Sequence, residues 1–167
     1  EGLSGTGPKA GGPLYMLRLL ARQPVDAAQR AVQGLGEAED LNQNSLQRLP
    51  SLREQLQKQL QSQGHPTLAD VAAELFDSAP PPAPRVLPGP TGERNGYSLH
   101  PRRRVLCLAQ RSEDRLLQLA AVLAVGAQAV WPADAQYDWA RLPVELLAHI
   151  AITPDWRAPG ADFDAVL

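Results

Sequence analysis

The residues with the clearest capacity for chemistry open the sequence, in the stretch "EGLSGTGPKAGG". Its five glycines and single lysine have the composition of a loop that binds phosphate through backbone amides. A P-loop requires G-x-x-x-x-G-K-[ST], because the lysine must reach the phosphates and the hydroxyl must reach magnesium. Gly2 and Gly7 have the first spacing, but Pro8 precedes Lys9 and Ala10 stands at the hydroxyl position. The P-loop interpretation therefore fails.

The dinucleotide fingerprint G-x-G-x-x-G/A does match, as Gly5, Gly7 and Ala10, with Asp26 further along the chain. That fingerprint works only as the turn between a strand and a helix, and the residues before Gly5 are not strand-like. Pro8 also removes a backbone donor. We therefore expect a close-packed structural loop that enters a helix, with a free-standing nucleotide site as the alternative. The residues of this predicted loop are Gly2, Ser4, Gly5, Gly7, Lys9, Gly11 and Gly12.

The remaining chemical candidates give no catalytic or metal site. Cys107 is the one cysteine, and its apolar context "VLCLA" is typical of a core residue. The basic cluster "HPRRR" at 100–104 lacks interleaved aromatic residues, so a contact to acids of the same chain is favoured over nucleic acid. His65 and His149 have no cysteine or histidine at metal-ligand spacing. The sequence thus predicts no catalytic, cofactor-binding or metal-binding residue.

Bulk composition narrows the class of protein. The chain has 167 residues, a formal net charge of -2 and 20% charged residues, which gives no general attraction to nucleic acid or to an anionic membrane. A single cysteine excludes a disulfide within the chain and fits a reducing compartment. No apolar run approaches the roughly 20 residues that span a bilayer. A cytoplasmic location is the expectation.

The first half of the chain reads as helices followed by a linker. "PLYMLRLLA" begins a helix, and "SLREQLQKQLQSQG" forms another, with a capping box from Ser51 to Glu54 and a narrow leucine stripe. We expect this stripe to pack on a partner, and a second copy of the chain in a homo-oligomer would supply one. A third helix follows, capped by Thr67. Six prolines between Pro80 and Pro90 then predict an extended linker.

The second half alternates strands and helices. "RVLCLA" reads as a buried parallel strand, and "QAVW", "IAIT" and "FDAVL" read as three further strands. A helix capped by Ser112 separates the first two strands. This order predicts an α/β fold with a helical connector and a partial Rossmann-like parallel sheet. A chain that ends inside a strand suggests truncation. Before the sheet, a turn is expected to dock the linker on the second domain; its residues are Gly89, Pro90, Thr91, Gly92, Glu93 and Arg94.

Four stretches carry a resemblance to a known family. "EGLSGTGPKAGGPLYMLRLL" resembles the segment that closes the aldehyde dehydrogenase module of bacterial proline utilization A (PutA) proteins. "LPGPTGERNGYSLHPRRRVLCLA", "QLAAVLAVGAQAVWP" and "FDAVL" resemble the C-terminal domain of the longer members, in the same order. The resemblance covers residues 1–20, 87–109, 118–132 and 162–167. It implies a fragment of an aldehyde dehydrogenase-type architecture.

The resemblance also implies an activity for the complete protein. The family joins an FAD-dependent proline dehydrogenase to an NAD-dependent L-glutamate γ-semialdehyde (1-pyrroline-5-carboxylate) dehydrogenase, in which a cysteine thiolate attacks the aldehyde. The nucleophile, the glutamate and the cofactor loop lie upstream in the family, so these 167 residues should bind neither NAD nor FAD. Some members carry an N-terminal DNA-binding domain, and peripheral association with the inner membrane during turnover stays open.

The expected organisation has three parts. Residues 1–20 would end the dehydrogenase module, residues 21–86 would form a helical and proline-rich connector, and residues 87–167 would start a noncatalytic α/β domain. The partner of this fragment would be the rest of its own polypeptide, and the substrate a small molecule. A stand-alone helical and α/β interaction module is the alternative. The fragment alone is expected to be inactive.

Overall fold

A computed structural model describes residues 15–20, 22, 24, 26, 27, 30, 48–79, 84–87, 91, 92 and 94–167. By its internal contacts the chain divides into two compact units. One unit combines residues 1–41 with 80–100, and the other combines residues 42–79 with 101–167. The three-part division into 1–20, 21–86 and 87–167 stays a prediction.

The first unit contains a 3₁₀ turn and a small hairpin. The turn spans Met16–Leu19, within the stretch expected to start a helix. Strands β1 (Arg85–Leu87) and β2 (Asn95–Tyr97) pair antiparallel, with Val86 opposite Gly96. The prediction that the proline-rich segment forms only an extended linker is wrong at this point. Three consecutive residues without proline keep their backbone donors, so they can pair with a second strand.

The second unit holds the remaining helices and strands of the described residues. In chain order they are α1 (Arg48–Ser62), α2 (Pro66–Ser78), β3 (Arg104–Leu106), α3 (Ser112–Ala124), β4 (Gln128–Pro132), α4 (Gln136–Trp139), α5 (Val144–Leu147), β5 (Ile150–Thr153) and β6 (Ala165–Val166). A short 3₁₀ turn, Ala133–Ala135, links β4 to α4. The alternation of strands and helices after residue 101 agrees with the sequence pattern.

Four parallel strands form the sheet, in the order β5-β4-β3-β6. Val105 lies opposite Ala129 on one side and opposite Ala165 on the other, so β3 is flanked by two parallel neighbours. The chain moves outward from β3 to β4 and β5, then returns to the far side of β3 as β6. The predicted α/β fold with a parallel sheet is confirmed.

Helices α1, α2 and α3 pack on one another, and α3 packs on β4. The leucine stripe of α1, formed by Leu52, Leu56 and Leu60, is buried in this cluster with Leu119 of α3. The expectation that the stripe packs on a partner is therefore wrong. Its narrow width is sufficient because two short helices of the same unit cover it, and burial of apolar surface needs no second chain.

The helix ends differ from the predicted caps. Ser51 lies within α1, three residues after its first described position, and Thr67 lies one residue inside α2, which begins at Pro66 after His65. Ser112 is the first residue of α3, and its hydroxyl lies 2.8 Å from a carboxylate oxygen of Asp138 instead of capping the helix. A tertiary acceptor thus replaces the local backbone donor.

The predicted helix stops are correct at two glycines. Gly64 follows α1 with φ of 82°, and Gly126 follows α3 with φ of 78°. Both values lie in the left-handed region, which glycine enters without steric cost. Among the described helices, none is long and apolar enough to cross a membrane.

Candidate functional site

The carboxyl ends of three parallel strands form the walls of a crevice of about 510 Å³. Leu108 and Gln110 follow β3, Ala133 and Asp134 follow β4, and residues 154–157 follow β5. In open α/β sheets, ligands bind outside the carboxyl ends of the strands. We call this cavity the carboxyl-edge crevice. It is the candidate site that sequence reasoning missed.

Hydrophobic surface and separated charges line the crevice. The apolar part comes from Leu108, Pro132, Ala133 and Pro154. Trp156 is half-buried, and the guanidinium of Arg157 lies 3.8 Å from the centroid of its ring. One Asp155 carboxylate oxygen accepts a hydrogen bond from the backbone N–H of Arg157 at 2.9 Å. That bond shapes the turn which presents the indole.

The loop from β3 to α3 does not fit a dinucleotide. Residues 107–111, "CLAQR", contain no glycine, so side chains stand where a pyrophosphate would need close backbone approach. The first turn of α3 carries Glu113 and Asp114, which would repel a phosphate at the helix N-terminus. Both acids are already within ion-pair distance of Arg111, and its pKa is raised chiefly by the hydrogen bond to Asp114. The site NAD would take in a Rossmann-type fold is therefore unsuited to it.

The same loop is fixed by side chains of α3. The N–H of Ala109 donates to the Gln118 side-chain oxygen at 2.9 Å, and the carbonyl of Ala109 accepts from Arg115 at 2.9 Å. Both backbone polar groups that could face a ligand at Ala109 are thus used within the protein. Side chains of α3 therefore take the place that a ligand would need at this loop.

Arg115 is the one charged residue buried in the described part of the chain. Its guanidinium forms an ion pair with Asp138 of α4 and lies 5.7 Å from the centroid of the Trp131 ring. Ser112 donates to the second carboxylate oxygen of Asp138 at 2.8 Å. The pair is 6% and 21% exposed, so each charge depends on the other for its solvation. This cluster joins the loop after β3 to α4.

Cys107 has no nucleophilic character in this setting. Its side chain is fully buried, and burial raises the pKa of the thiol from 9.0 to about 12, with Trp131 and Arg115 opposing that shift. A thiolate is the reactive form, and a desolvated neutral thiol is inert. The structural interpretation of Cys107 is favoured on these grounds.

The basic cluster at 100–104 contacts acids of the same chain. Arg103 lies 2.5 Å from Asp162, and Arg104 forms a second ion pair with the same carboxylate. Asp164 accepts the backbone N–H groups of both arginines, at 3.0 and 2.8 Å, and these bonds lower the pKa of its carboxyl. The cluster ties the amino ends of β3 and β6 together. An intramolecular contact explains it without nucleic acid.

The predicted glycine loop, from Gly2 to Gly12, lies outside the described residues. Of the predicted docking turn, Gly89, Pro90 and Glu93 also lie outside them, while Thr91 and Gly92 are exposed. These residues belong to the connection between β1 and β2, and Gly92 has φ of 90°. A docking role for this turn stays a prediction.

Neither a metal site nor the second cavity provides a stronger candidate site in the described part of the chain. In the described part of the chain, no group of three or more His, Cys, Asp or Glu side chains could hold a metal ion. A second cavity of about 310 Å³ lies among Ser62, Ser112, Asp138 and Arg141, where the helices α1, α3 and α4 meet. Asp138, the acidic residue in the lining of this cavity, already forms an ion pair with Arg115. The cavity therefore offers no unpaired carboxylate for chemistry.

Comparison with known proteins identifies relatives along the whole chain. No protein-family profile matches it. The chain is 44% identical to the bifunctional protein PutA of Klebsiella aerogenes, over all of this chain and 13% of that protein. It is 42% identical to the Escherichia coli K12 protein, again over all of this chain and 13% of the relative, and 34% identical to the Rhizobium meliloti protein over 96% of this chain and 12% of the relative.

The chain therefore spans about an eighth of the length of these relatives, as their 12–13% coverage states. Identity of 34–44% along a continuous match is far above chance, and all these relatives carry one name. The resemblance predicted from four short stretches is confirmed: over its whole length, this chain is homologous to one segment of the bifunctional PutA proteins.

Proposed function

We propose that this chain is a noncatalytic, covering segment of a PutA-type enzyme that oxidises proline to L-glutamate. The observation that supports the proposal most directly is homology over the entire chain to proteins named bifunctional PutA. In the complete protein, FAD would accept electrons from proline, and NAD would accept hydride from the semialdehyde. This chain supplies neither of those sites.

Three properties of the carboxyl edge support the noncatalytic assignment. The loop at 107–111 lacks glycine, the first turn of α3 is acidic, and the thiol of Cys107 is buried. A dehydrogenase of this kind needs a reactive thiolate beside a bound nicotinamide. The chain has the parallel sheet, but Arg115 and Gln118 occupy the backbone polar groups of Ala109 in the loop after β3. This arrangement suits a structural role better than a catalytic one.

The proposed partner of this segment is the remainder of its own polypeptide, in the cytoplasm. Covering the dehydrogenase module would keep the reactive semialdehyde, or its cyclic form 1-pyrroline-5-carboxylate, from escaping into solvent between the two reactions. Glycines at 2–12 would lie near the active site of that module, and residues 89–94 would form the docking turn. Nucleic acid would enter only through a separate N-terminal domain.

The proposal is tested by comparing the complete protein with a variant that lacks this segment. We expect the deletion to spare proline-dependent reduction of an artificial electron acceptor, because the first active site is separate. NADH formation from proline should fall much more, and 1-pyrroline-5-carboxylate should accumulate in the medium. Equal rates of NADH formation in both proteins, with no released intermediate, contradict a covering role.

The isolated chain supplies a second test. It should form no NADH from 1-pyrroline-5-carboxylate and should not bind NAD in equilibrium dialysis. Micromolar NAD binding by the isolated chain contradicts the noncatalytic assignment and favours a nucleotide-binding domain instead.

A further inference from the structure

We propose that the carboxyl-edge crevice binds a free α-amino acid with an apolar side chain, as a zwitterion. The inference goes beyond the proposed covering role and does not depend on it. It rests on three properties of the crevice: its position at the strand ends, its charged side chains of both signs, and its apolar wall.

Of the three charged residues in the lining, Asp134 and Arg157 carry opposite charges that are not paired, while Asp155 accepts the backbone N–H of Arg157. Within the described residues, the carboxylate of Asp134 forms no hydrogen bond and no ion pair, and Arg157 has no carboxylate partner. Both residues line the same cavity, yet they do not pair with each other. A zwitterion has its own opposite charges close together, so its ammonium can meet Asp134 while its carboxylate meets Arg157.

Arg157 is positioned by the indole of the neighbouring Trp156. Its guanidinium lies 3.8 Å from the centroid of the Trp156 ring, over the ring. The ring covers one side of the guanidinium, and within the described residues no carboxylate occupies its N–H groups, which leaves them for a bidentate acceptor. A guanidinium positioned by an aromatic ring loses less conformational freedom on binding than a free side chain.

The remaining surface selects the side chain of the ligand. Leu108, Pro132, Ala133 and Pro154 present apolar surface, and the half-buried indole of Trp156 adds an aromatic wall. An aliphatic side chain or a pyrrolidine ring gains by leaving water here. A side-chain carboxylate would meet Asp134 and Asp155, so acidic amino acids are disfavoured.

Phosphorylated ligands are excluded by the same residues. Asp134 and Asp155 line the crevice, and Glu113 and Asp114 stand in the first turn of the helix that follows β3. A phosphate would bring two negative charges toward the carboxylates of Asp134 and Asp155, with Arg157 as the one cation of the lining, while Arg111 already pairs with Glu113 and Asp114. The volume of about 510 Å³ leaves room for an amino acid with several waters.

The test uses the full chain and its tryptophan signals. The sequence contains three tryptophans, so a two-dimensional ¹H–¹⁵N spectrum shows three indole N–H signals, and Trp156→Phe assigns the one at the crevice. We expect L-leucine and L-proline to shift the Trp156 signal saturably with a Kd of about 1 mM. The indoles of Trp131 and Trp139, which do not line the crevice, should not move.

Analogues that lack one charge separate a zwitterion site from general apolar binding. Pyrrolidine has no carboxylate and cyclopentanecarboxylate has no ammonium, so each should bind at least about tenfold more weakly than L-proline. Equal shifts by either analogue overturn the proposal. A Trp156 response to NAD or adenosine, with none to L-leucine or L-proline up to about 50 mM, overturns it as well.

Matched variants complete the design. Asp134→Asn and Arg157→Gln should each weaken binding at least about tenfold, while Glu145→Gln, at an acid on α5 outside the crevice, should leave it unchanged. Both crevice side chains are exposed, so their loss leaves the core intact, and the dispersion of the amide spectrum verifies this. Unchanged affinity in both charge variants overturns the assignment.

Discussion

The two ends of the parallel sheet each carry an arginine–aspartate cluster, and the two clusters differ in how far their charged side chains are exposed to water. At the carboxyl end, Arg115 and Asp138 are 6% and 21% exposed. At the amino end, Arg103 and Asp162 are 72% and 51% exposed. Water can replace a lost partner more easily at the amino end, where Arg103 is 72% exposed and Arg104 21%, than at the carboxyl end, where Arg115 is 6% exposed. The same pair of residue types is therefore structural at one end and nearly dispensable at the other.

Thiol reactivity gives the largest expected contrast between the ends. Cys107 follows β3 toward the buried end, and its pKa of about 12 leaves about a thousandfold less thiolate at pH 8 than its ordinary 9.0 does. We expect Cys107 to resist alkylation in the folded chain and to react after denaturation. An Arg102→Cys variant places a second, exposed thiol at the amino end as a control, and only that thiol should react under native conditions. Rapid native reaction of Cys107 contradicts its burial.

The pH dependence follows from the sign of that shift. The unfolded thiol ionises first, because its pKa is lower than in the folded chain. The stability that the neutral thiol contributes is complete below about pH 9 and is lost between pH 9 and about 12. Cys107→Ala should remove this part of the high-pH decline in urea denaturation. An unchanged decline in Cys107→Ala would place the titration at other groups.

Removal of Asp138 breaks the buried cluster. Asp138→Ala leaves the Arg115 guanidinium buried without a counter-charge, which should lower the free energy of unfolding by about 4 kcal/mol. Urea denaturation followed by far-ultraviolet circular dichroism measures the loss. Asp134→Ala, at an exposed acid four residues earlier, is the matched control and should change little. A similar loss in both variants would falsify the contrast between buried and exposed acids.

Truncation of a buried apolar side chain gives a reference for the loss of stability expected of Asp138→Ala. Leu56 is fully buried in the cluster of helices α1, α2 and α3, so Leu56→Ala should lower the free energy of unfolding by about 3 kcal/mol. The exposed Lys58 on the same helix provides the control, because Lys58→Ala removes no core contact. If Leu56→Ala costs nothing while the chain self-associates less, the leucine stripe serves a partner after all.

The amino-end cluster should give the smallest effect. Asp162→Ala removes the acid that Arg103 and Arg104 share, and we expect a loss below about 1 kcal/mol that shrinks further in high salt. Asp164→Asn is the sharper comparison, because its carboxylate accepts two backbone N–H groups. The lowered pKa of Asp164 means that its contribution is present above the ordinary value of 3.8 and is lost as the pH falls through the folded value. If Asp162→Ala lowers the free energy of unfolding more than Asp138→Ala does, the amino-end cluster is the more important of the two for stability, contrary to our expectation.

The elements of the sheet were predictable because short apolar runs bounded by turn residues specify buried strands. "QAVW" and "IAIT" became β4 and β5, and glycines at 64 and 126 ended their helices. The caps were less predictable, because Ser112 found an acceptor in Asp138, 26 residues away. Local propensity describes only local partners, so a tertiary hydrogen bond overrides it.

The candidate site was less accessible from sequence than the fold. The crevice combines residues from three connections, and its charges are set by Asp134 and Arg157, which share no local pattern. Only the rule on strand ends could have pointed to it, once the strand order was known. The ion pair of Arg115 with Asp138 joins residues 23 apart. Nothing in the sequence distinguishes this aspartate from Asp134.

The position of β6 has a consequence for the order in which the protein folds. Paired residues of β3, β4 and β5 lie 21–24 positions apart, as in Val105 opposite Ala129 and Ala129 opposite Ile150, whereas β6 pairs with β3 across 60 positions, as Val105 opposite Ala165 shows. Closing such a long loop costs more chain entropy and slows folding. The connection between β5 and β6 contains Trp156 and Arg157. We therefore expect the three-strand portion to form first and the aromatic wall of the crevice to be fixed late, when the fourth strand docks.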